Sequence, residues 1–201
     1  MDKMMKEKVF QEKDGLIVVE IESVPIPSEE YSRENSYKGI WNEWKAETEL
    51  KGYTGNCYYT WAGPDLFANP GCGILTYKVQ IENEGKYSFS IHNRHDNLDP
   101  TESNDAFVKV DNGIWVKTFS AVRGEWTWST FFEFGHHQKE PASIVFTKGL
   151  HTLQICGRSN GFSINRFVLF QEAVNGQDTQ LPESIVLDSK KNDPTIRKTG
   201  V

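Results

Sequence analysis

Apolar and polar residues alternate singly along most of this chain. Leu75, Tyr77, Val79 and Ile81 fall on one face of an extended segment, "NEGK" follows, and Tyr87, Phe89 and Ile91 resume the alternation. A period of two is the signature of half-buried strands, and the pattern predicts a hairpin here. The same reading gives strands at 16–22, 105–110, 115–119, 129–134, 143–147, 150–156 and 163–170, punctuated by Gly, Asn, Asp and Pro. No long stretch keeps a 3.6-residue period. The segment 40–50, "IWNEWKAETEL", is the one candidate for a helical turn or two. Many short strands with rich turns predict an all-β chain, a jelly-roll β-sandwich of two antiparallel sheets.

The ends break the alternation. Residues 1–13 are charged and read as an arm, and residues 173–201 as a polar tail whose apolar patch, Ile185 to Leu187, can dock on the domain. Residues 14–172 then form a single domain, with no internal repeat. No apolar run reaches the roughly 20 residues of a membrane span. The net charge of −6 disfavours nucleic acid as a partner. No secretory signal is visible at the start of the chain. The three cysteines, Cys57, Cys72 and Cys156, allow either a Cys57–Cys72 disulfide or three buried thiols.

Aromatic residues change the picture more than charge does. They make up 12% of the chain, with six Trp, and many stand beside Gly, Asn and Ser. The segment "KGYTGNCYYTWAG" carries Tyr53, Tyr58, Tyr59 and Trp61, and "RGEWTWSTFFEFG" carries Trp126 and Trp128. If the second segment is extended, both indoles point to the same side. An indole face can stack on the apolar face of a pyranose while Asn, Arg or Glu bind its hydroxyls; a core position is the equal alternative for each Trp.

In "LIVVEIES", Glu20 and Glu22 share a strand face opposite Ile17, Val19 and Ile21. Two such carboxylates can share a Ca²⁺ ion or stand solvated. The polar loop "IHNRHDNLDPTESND" offers His92, His95, Asp96 and Asp99, but without the spacing of a metalloenzyme, and turn roles suit it better. Arg94 is a donor for an anion or a hydroxyl, and His136-His137 reads as an inert exposed turn. No nucleophile elbow, P-loop or dinucleotide fingerprint occurs. Near the end, "CGRSNGFSINRFVLF" places Arg158-Ser159-Asn160-Gly161 between two strand-like runs.

From about Leu16 to Phe170 these segments, in this order, resemble a carbohydrate-binding module of the family 6/35 type, built on the galactose-binding-like jelly roll. "VEIES" resembles the E-A-E of the first strand and "GYTGNCYYTW" the Gly-rich aromatic loop. "GEWTWST" is similar to a G-W-x-x-W-x-T segment one residue longer, and "GRSNGFSINRFVLF" resembles the closing strand pair. "TESNDAFVKVD" and "GRSNGF" look closest to a subgroup attached to polysaccharide-degrading enzymes of marine bacteria.

The resemblance implies a non-catalytic domain that holds a glycan in a cleft between loops. Trp126 matches a clamp aromatic and Asn160 the polar anchor, with Tyr58, Trp61 or Trp128 as the second ring. Arg94, Asn104 and Arg158 would add hydrogen bonds. It also implies a structural Ca²⁺ held by Glu20, Glu22 and a last-strand acid, for which this chain has Asn165. The expected partners are a polysaccharide, first a galactan such as agar or porphyran, and a linked or associated glycan-degrading enzyme, in an extracellular or cell-surface setting. A hydrolase or lyase on the same sandwich and a discoidin-like adhesion domain are the alternatives.

Overall fold

The computed structural model describes residues 7–27, 43–135 and 138–187. Among these residues are fourteen strands: β1 (Val9–Gln11), β2 (Leu16–Glu20), β3 (Trp44–Glu47), β4 (Tyr58–Trp61), β5 (Leu75–Ile81), β6 (Gly85–Arg94), β7 (Asp105–Val110), β8 (Val116–Phe119), β9 (Phe131–Glu133), β10 (Lys139–Pro141), β11 (Ser143–Phe146), β12 (Gly149–Gly157), β13 (Ser163–Phe170) and β14 (Val186–Leu187). They form two sheets. The first runs β10-β9-β8-β7-β12-β5-β1-β14, and the second runs β11-β6-β13-β4-β3, with β2 also paired to β13. All ladders are antiparallel except β1 on β5. This is the jelly-roll sandwich that the alternation predicts.

Alternation also fixes which side faces inward. Tyr77, Val79 and Ile81 of β5 meet Tyr87, Phe89 and Ile91 of β6 and Ile164, Phe167 and Leu169 of β13 in one core. Each such side chain contributes about 1.5–3 kcal/mol on burial. Ser88, Ser90, His92 and Arg94 therefore lie on the outer face of the second sheet.

Several expectations are corrected. β5 and β6 are not a hairpin: β5 pairs with β12 and β1, whereas β6 pairs with β11 and β13. The "NEGK" turn is an arch between sheets, which lets two consecutive strands both point their apolar faces into the core. Residues 158–161 likewise cross from β12 in the first sheet to β13 in the second. The proposed helical turn holds β3 instead, hairpin-paired with β4, while 40–42 lie outside the described residues. β1 lies inside the segment read as an arm. β2 ends at Glu20, and Ile21–Ser23 is a 3-10 turn, so Glu22 does not continue the face of Glu20. His136 and His137 lie outside the described residues.

Two irregularities shape the second sheet. The partner of β13 on one side changes from β4, at Ser163 and Ile164, to β2, from Arg166 onward. The register against β6 slips between Ile164 and Arg166. A bulge of this kind turns two consecutive side chains to one face, here Asn165 and Arg166.

Candidate functional site

The outer face of the second sheet carries an aromatic cluster. Thr127 and Asn93 exchange backbone hydrogen bonds, 2.9 Å each way, which ties "EWTWS" across the end of β6. Its flanking residues then point the same way. Trp126 stacks on His92, with centroids 5.2 Å apart and planes at 24°, and Trp128 lies 4.8 Å from the same imidazole. Tyr58 meets Trp126 edge-on at 5.2 Å, and Tyr53 meets Tyr58 at 5.4 Å. Gly52, at φ +100°, lets the chain pass beneath the indole; a Cβ there would come within 3.1 Å of Trp126 Cδ1. Both tryptophans are half-buried, with the Trp126 Nε1 turned away from solvent. They border a shallow depression of about 610 Å³ shared with Glu125, Ser129, Thr130 and Gln177.

A polar network lies beneath the rings. His92 is 4% exposed, and its Nδ1 is 3.0 Å from Asn165 Oδ1. Since that oxygen only accepts, Nδ1 carries the proton. Burial pushes the imidazole below its ordinary pKa, against the opposing bond to Asn165. Thr54 N donates to Asn165 Oδ1 at 2.9 Å, Asn165 Nδ2 donates back to Thr54 O at 2.8 Å, and Thr54 Oγ1 lies 2.9 Å from the same Oδ1. Glu20 accepts from Thr54 Oγ1 at 2.8 Å and forms a buried ion pair with Arg166.

The residues expected to hold Ca²⁺ do not fit one. Asn165 Oδ1 faces three donors, Glu20 faces a guanidinium, and Glu22 accepts the Asn56 N–H at 2.6 Å. Burial outweighs the opposing backbone hydrogen bonds and holds the Glu22 carboxyl above its usual range. A cation needs oxygen lone pairs turned to a common point, and here N–H groups occupy those directions. Among the described residues, no group of three or more His, Cys, Asp or Glu is placed to hold a metal. His92 lies on the outer face of β6, whereas His95 follows the end of that strand and is buried beside Glu102 and Val122, so the two imidazoles do not share a site.

The other sequence-predicted residues are scattered. Trp61 belongs to the core: it is fully buried, edge-on to Trp44 at 5.4 Å, and bonded through Nε1 to Pro64 O at 3.0 Å. Tyr58 is 2% exposed and supports Trp126 instead of presenting a face of its own. Arg94 follows His92 on the same face and donates from Nε to Asp96 at 2.9 Å. Asn104 is buried and donates to Ser120 O at 2.9 Å. Arg158 pairs with buried Asp105 and lies between the rings of Phe67 and Phe107, on the outer side of the first sheet. Asn160 is exposed, yet its Nδ2 is engaged with Gly63 O at 2.8 Å. The structure thus joins Tyr58, Trp126 and Trp128, and through His92 also Glu20 and Asn165. It sets Trp61, Asn104, Arg158 and Asn160 elsewhere.

His92, Thr54 and Arg166 are the members that sequence reading assigned no part in this face. The alternation of β6 carried a signal for His92, whose position matches Ser88 and Ser90, opposite Phe89 and Ile91. All three cysteines are free. Cys57 is half-buried, and burial drives the Cys156 thiol up to about 12.

Neither a protein-family model nor a curated protein sequence matches the chain. Solved structures do resemble it. One is the Podospora anserina GH26-CBM35 β-(1,4)-mannanase, at 16% identity and a TM-score of 0.51, over 81% of this chain and 29% of that one. Another is a family 35 carbohydrate-binding module from Clostridium thermocellum, at 14% identity and a TM-score of 0.46, over 78% of this chain and 98% of that one. The first likeness establishes a shared fold. This chain spans less than a third of the mannanase.

Proposed function

We propose that the chain is a non-catalytic carbohydrate-binding module that grips a polysaccharide on the outer face of its second sheet. The observation that carries this reading is the pair of half-buried indoles, Trp126 and Trp128, both seated on His92 beside an open depression. A ring platform fixed from below offers a pyranose an apolar face without the entropy cost of ordering loose side chains. Glu125, Ser129 and Gln177 supply hydroxyl partners at its rim. The fold shared with a chain named as GH26-CBM35 supports the same class. A linked or associated glycan-degrading enzyme and an extracellular setting follow from it.

Catalysis finds no support in the nominated carboxylates. Glu20 is ion-paired to Arg166 and Glu22 is wrapped by the 52–57 loop, so neither stands across a cleft from the other.

Affinity electrophoresis across neutral and acidic polysaccharides, beginning with agar and porphyran, tests the reading. Retardation of the wild-type chain is expected, with Trp126→Ala or Trp128→Ala losing about 2 kcal/mol, roughly thirtyfold in Kd. Asn160→Ala is expected to bind like wild type. Absence of retardation on every polymer overturns the reading. Loss of binding in Asn160→Ala alone moves the site to the loop end.

A further inference from the structure

Asn165 stands at the one position of β13 where the neighbouring strand changes from β4 to β2. Its flank therefore has no ladder partner, and the backbone of Thr54 takes that role. The amide meets both groups of Thr54 at once: Oδ1 accepts from N at 2.9 Å, and Nδ2 donates to O at 2.8 Å. Only an amide can do this. A carboxylate in the same place would set an anionic oxygen against the Thr54 carbonyl, and the two would need a cation between them. Amide and metal are alternative ways of closing the same contact.

Arg166 repeats the logic one residue later. The bulge brings it to the same face, and it is 3% exposed there. Its Nε lies 3.3 Å from Glu20 Oε2, its Nη2 contacts Glu20 Oε1, and its Nη1 donates to Leu181 O at 3.0 Å. A buried carboxylate requires a counter-charge, and this one is supplied covalently by the chain. Thr54 Oγ1 links the two halves, 2.8 Å from Glu20 Oε2 and 2.9 Å from Asn165 Oδ1, its one proton serving one of the two oxygens at a time. Glu22 retains one buried oxygen, Oε2, without a hydrogen-bond partner among the described residues. A single oxygen is far short of the six to eight that calcium takes.

We propose that this chain does without the divalent cation of its resembled family: the Asn165 amide, standing where that family has an acid, closes the 52–57 loop onto β13, and the Arg166 guanidinium alone neutralises Glu20. The corner beneath the aromatic platform is then independent of calcium, and the domain keeps its fold in calcium-free surroundings. This goes beyond the glycan reading and stands whether or not that reading holds.

Thermal melting of the full chain tests it without any glycan. Midpoints in excess calcium and in excess EDTA should coincide. Terbium, whose luminescence nearby tryptophans would sensitise, should give no signal that calcium displaces. Asn165→Asp should melt lower in EDTA by roughly 5 °C or more, and regain part of the loss in calcium. Arg166→Gln should melt lower in both. A wild-type midpoint that rises with calcium or falls with EDTA overturns the proposal, as does saturable terbium binding displaced by calcium. Asn165→Asp melting like wild type in EDTA overturns the role of the amide. Should either variant fail to fold, the wild-type melts and the terbium titration still decide.

Discussion

His92 and His95 show that two imidazoles three residues apart can be buried in different surroundings. Both are at most 4% exposed, His92 beneath the indoles and His95 just past the end of β6, beside Glu102, Val122 and Arg123. Burial holds both imidazoles below their ordinary value, partly opposed at His92 by Asn165. The unfolded chain therefore takes up protons first. The stability tied to these residues is complete above about pH 6.5 and drains as pH falls through the lower folded values. Glu22, raised by burial, works in the opposite sense at more acid pH. The expected outcome is a urea midpoint lower near pH ~5.5 than near pH ~7.5, with a smaller drop in His95→Gln. An unchanged drop in that variant would place the proton uptake elsewhere.

Trp61 and Trp126 make the complementary point. Both stand in Gly-rich, aromatic stretches, and residue type alone left core and site equally open for each. Gly63, Gly73 and Gly157 line a slot around Trp61, where an added Cβ would come within 2.2–2.5 Å of the ring. Those glycines stand apart in sequence and meet only after folding, so no local pattern could mark Trp61 as core.

Among the elements, the β5–β6 arch depends on a residue that sequence reading assigned to an arm. Glu12, 2% exposed, accepts from the backbone N–H of Gly15, Glu82 and Asn83, at 2.6, 2.9 and 2.7 Å. Burial alone would raise its pKa, but these bonds and the one from the Asn83 side chain outweigh burial and leave it lowered. Its contribution is present above the ordinary glutamate value and is lost as pH falls through the folded one. Glu12→Gln keeps the shape but removes the charge and part of the accepting capacity. It should cost about 1–3 kcal/mol in urea unfolding near neutral pH. A variant as stable as wild type would show that the arch is held by its core contacts alone. Short strands such as β1 and β3 carry too few residues to show alternation. The long strands themselves were legible because alternation is a local property. Their pairing was not, because an arch and a hairpin present the same alternation and differ only in which neighbour supplies the hydrogen bonds.

For the molecule as a whole, the stretch after β13 is a working part of the sandwich. β14 pairs with β1, Ser184 exchanges hydrogen bonds with Val18 at 2.9 Å, and Leu181 O receives Arg166. Truncation after residue 172 removes these contacts and bares the outer flank of β1, a strand edge open to pairing with other chains. The shortened chain should melt several degrees lower and self-associate in sedimentation, while the full chain does not. Equal melting and mass would show the docking to be energetically neutral.

What the sequence determined by itself was the all-β class, the positions of the long strands, the inward face of each of them and the pairing of Trp126 with Trp128 on one side. All of these follow from the two-residue period of an extended chain. Only the tertiary structure decided that Trp61 is core, that Arg158 and Asn160 stand apart from the tryptophans, and that Glu20 meets Arg166 in place of Glu22. Those outcomes depend on which strands become neighbours and where a bulge falls. Contacts between residues more than a hundred positions apart leave no mark in a local pattern.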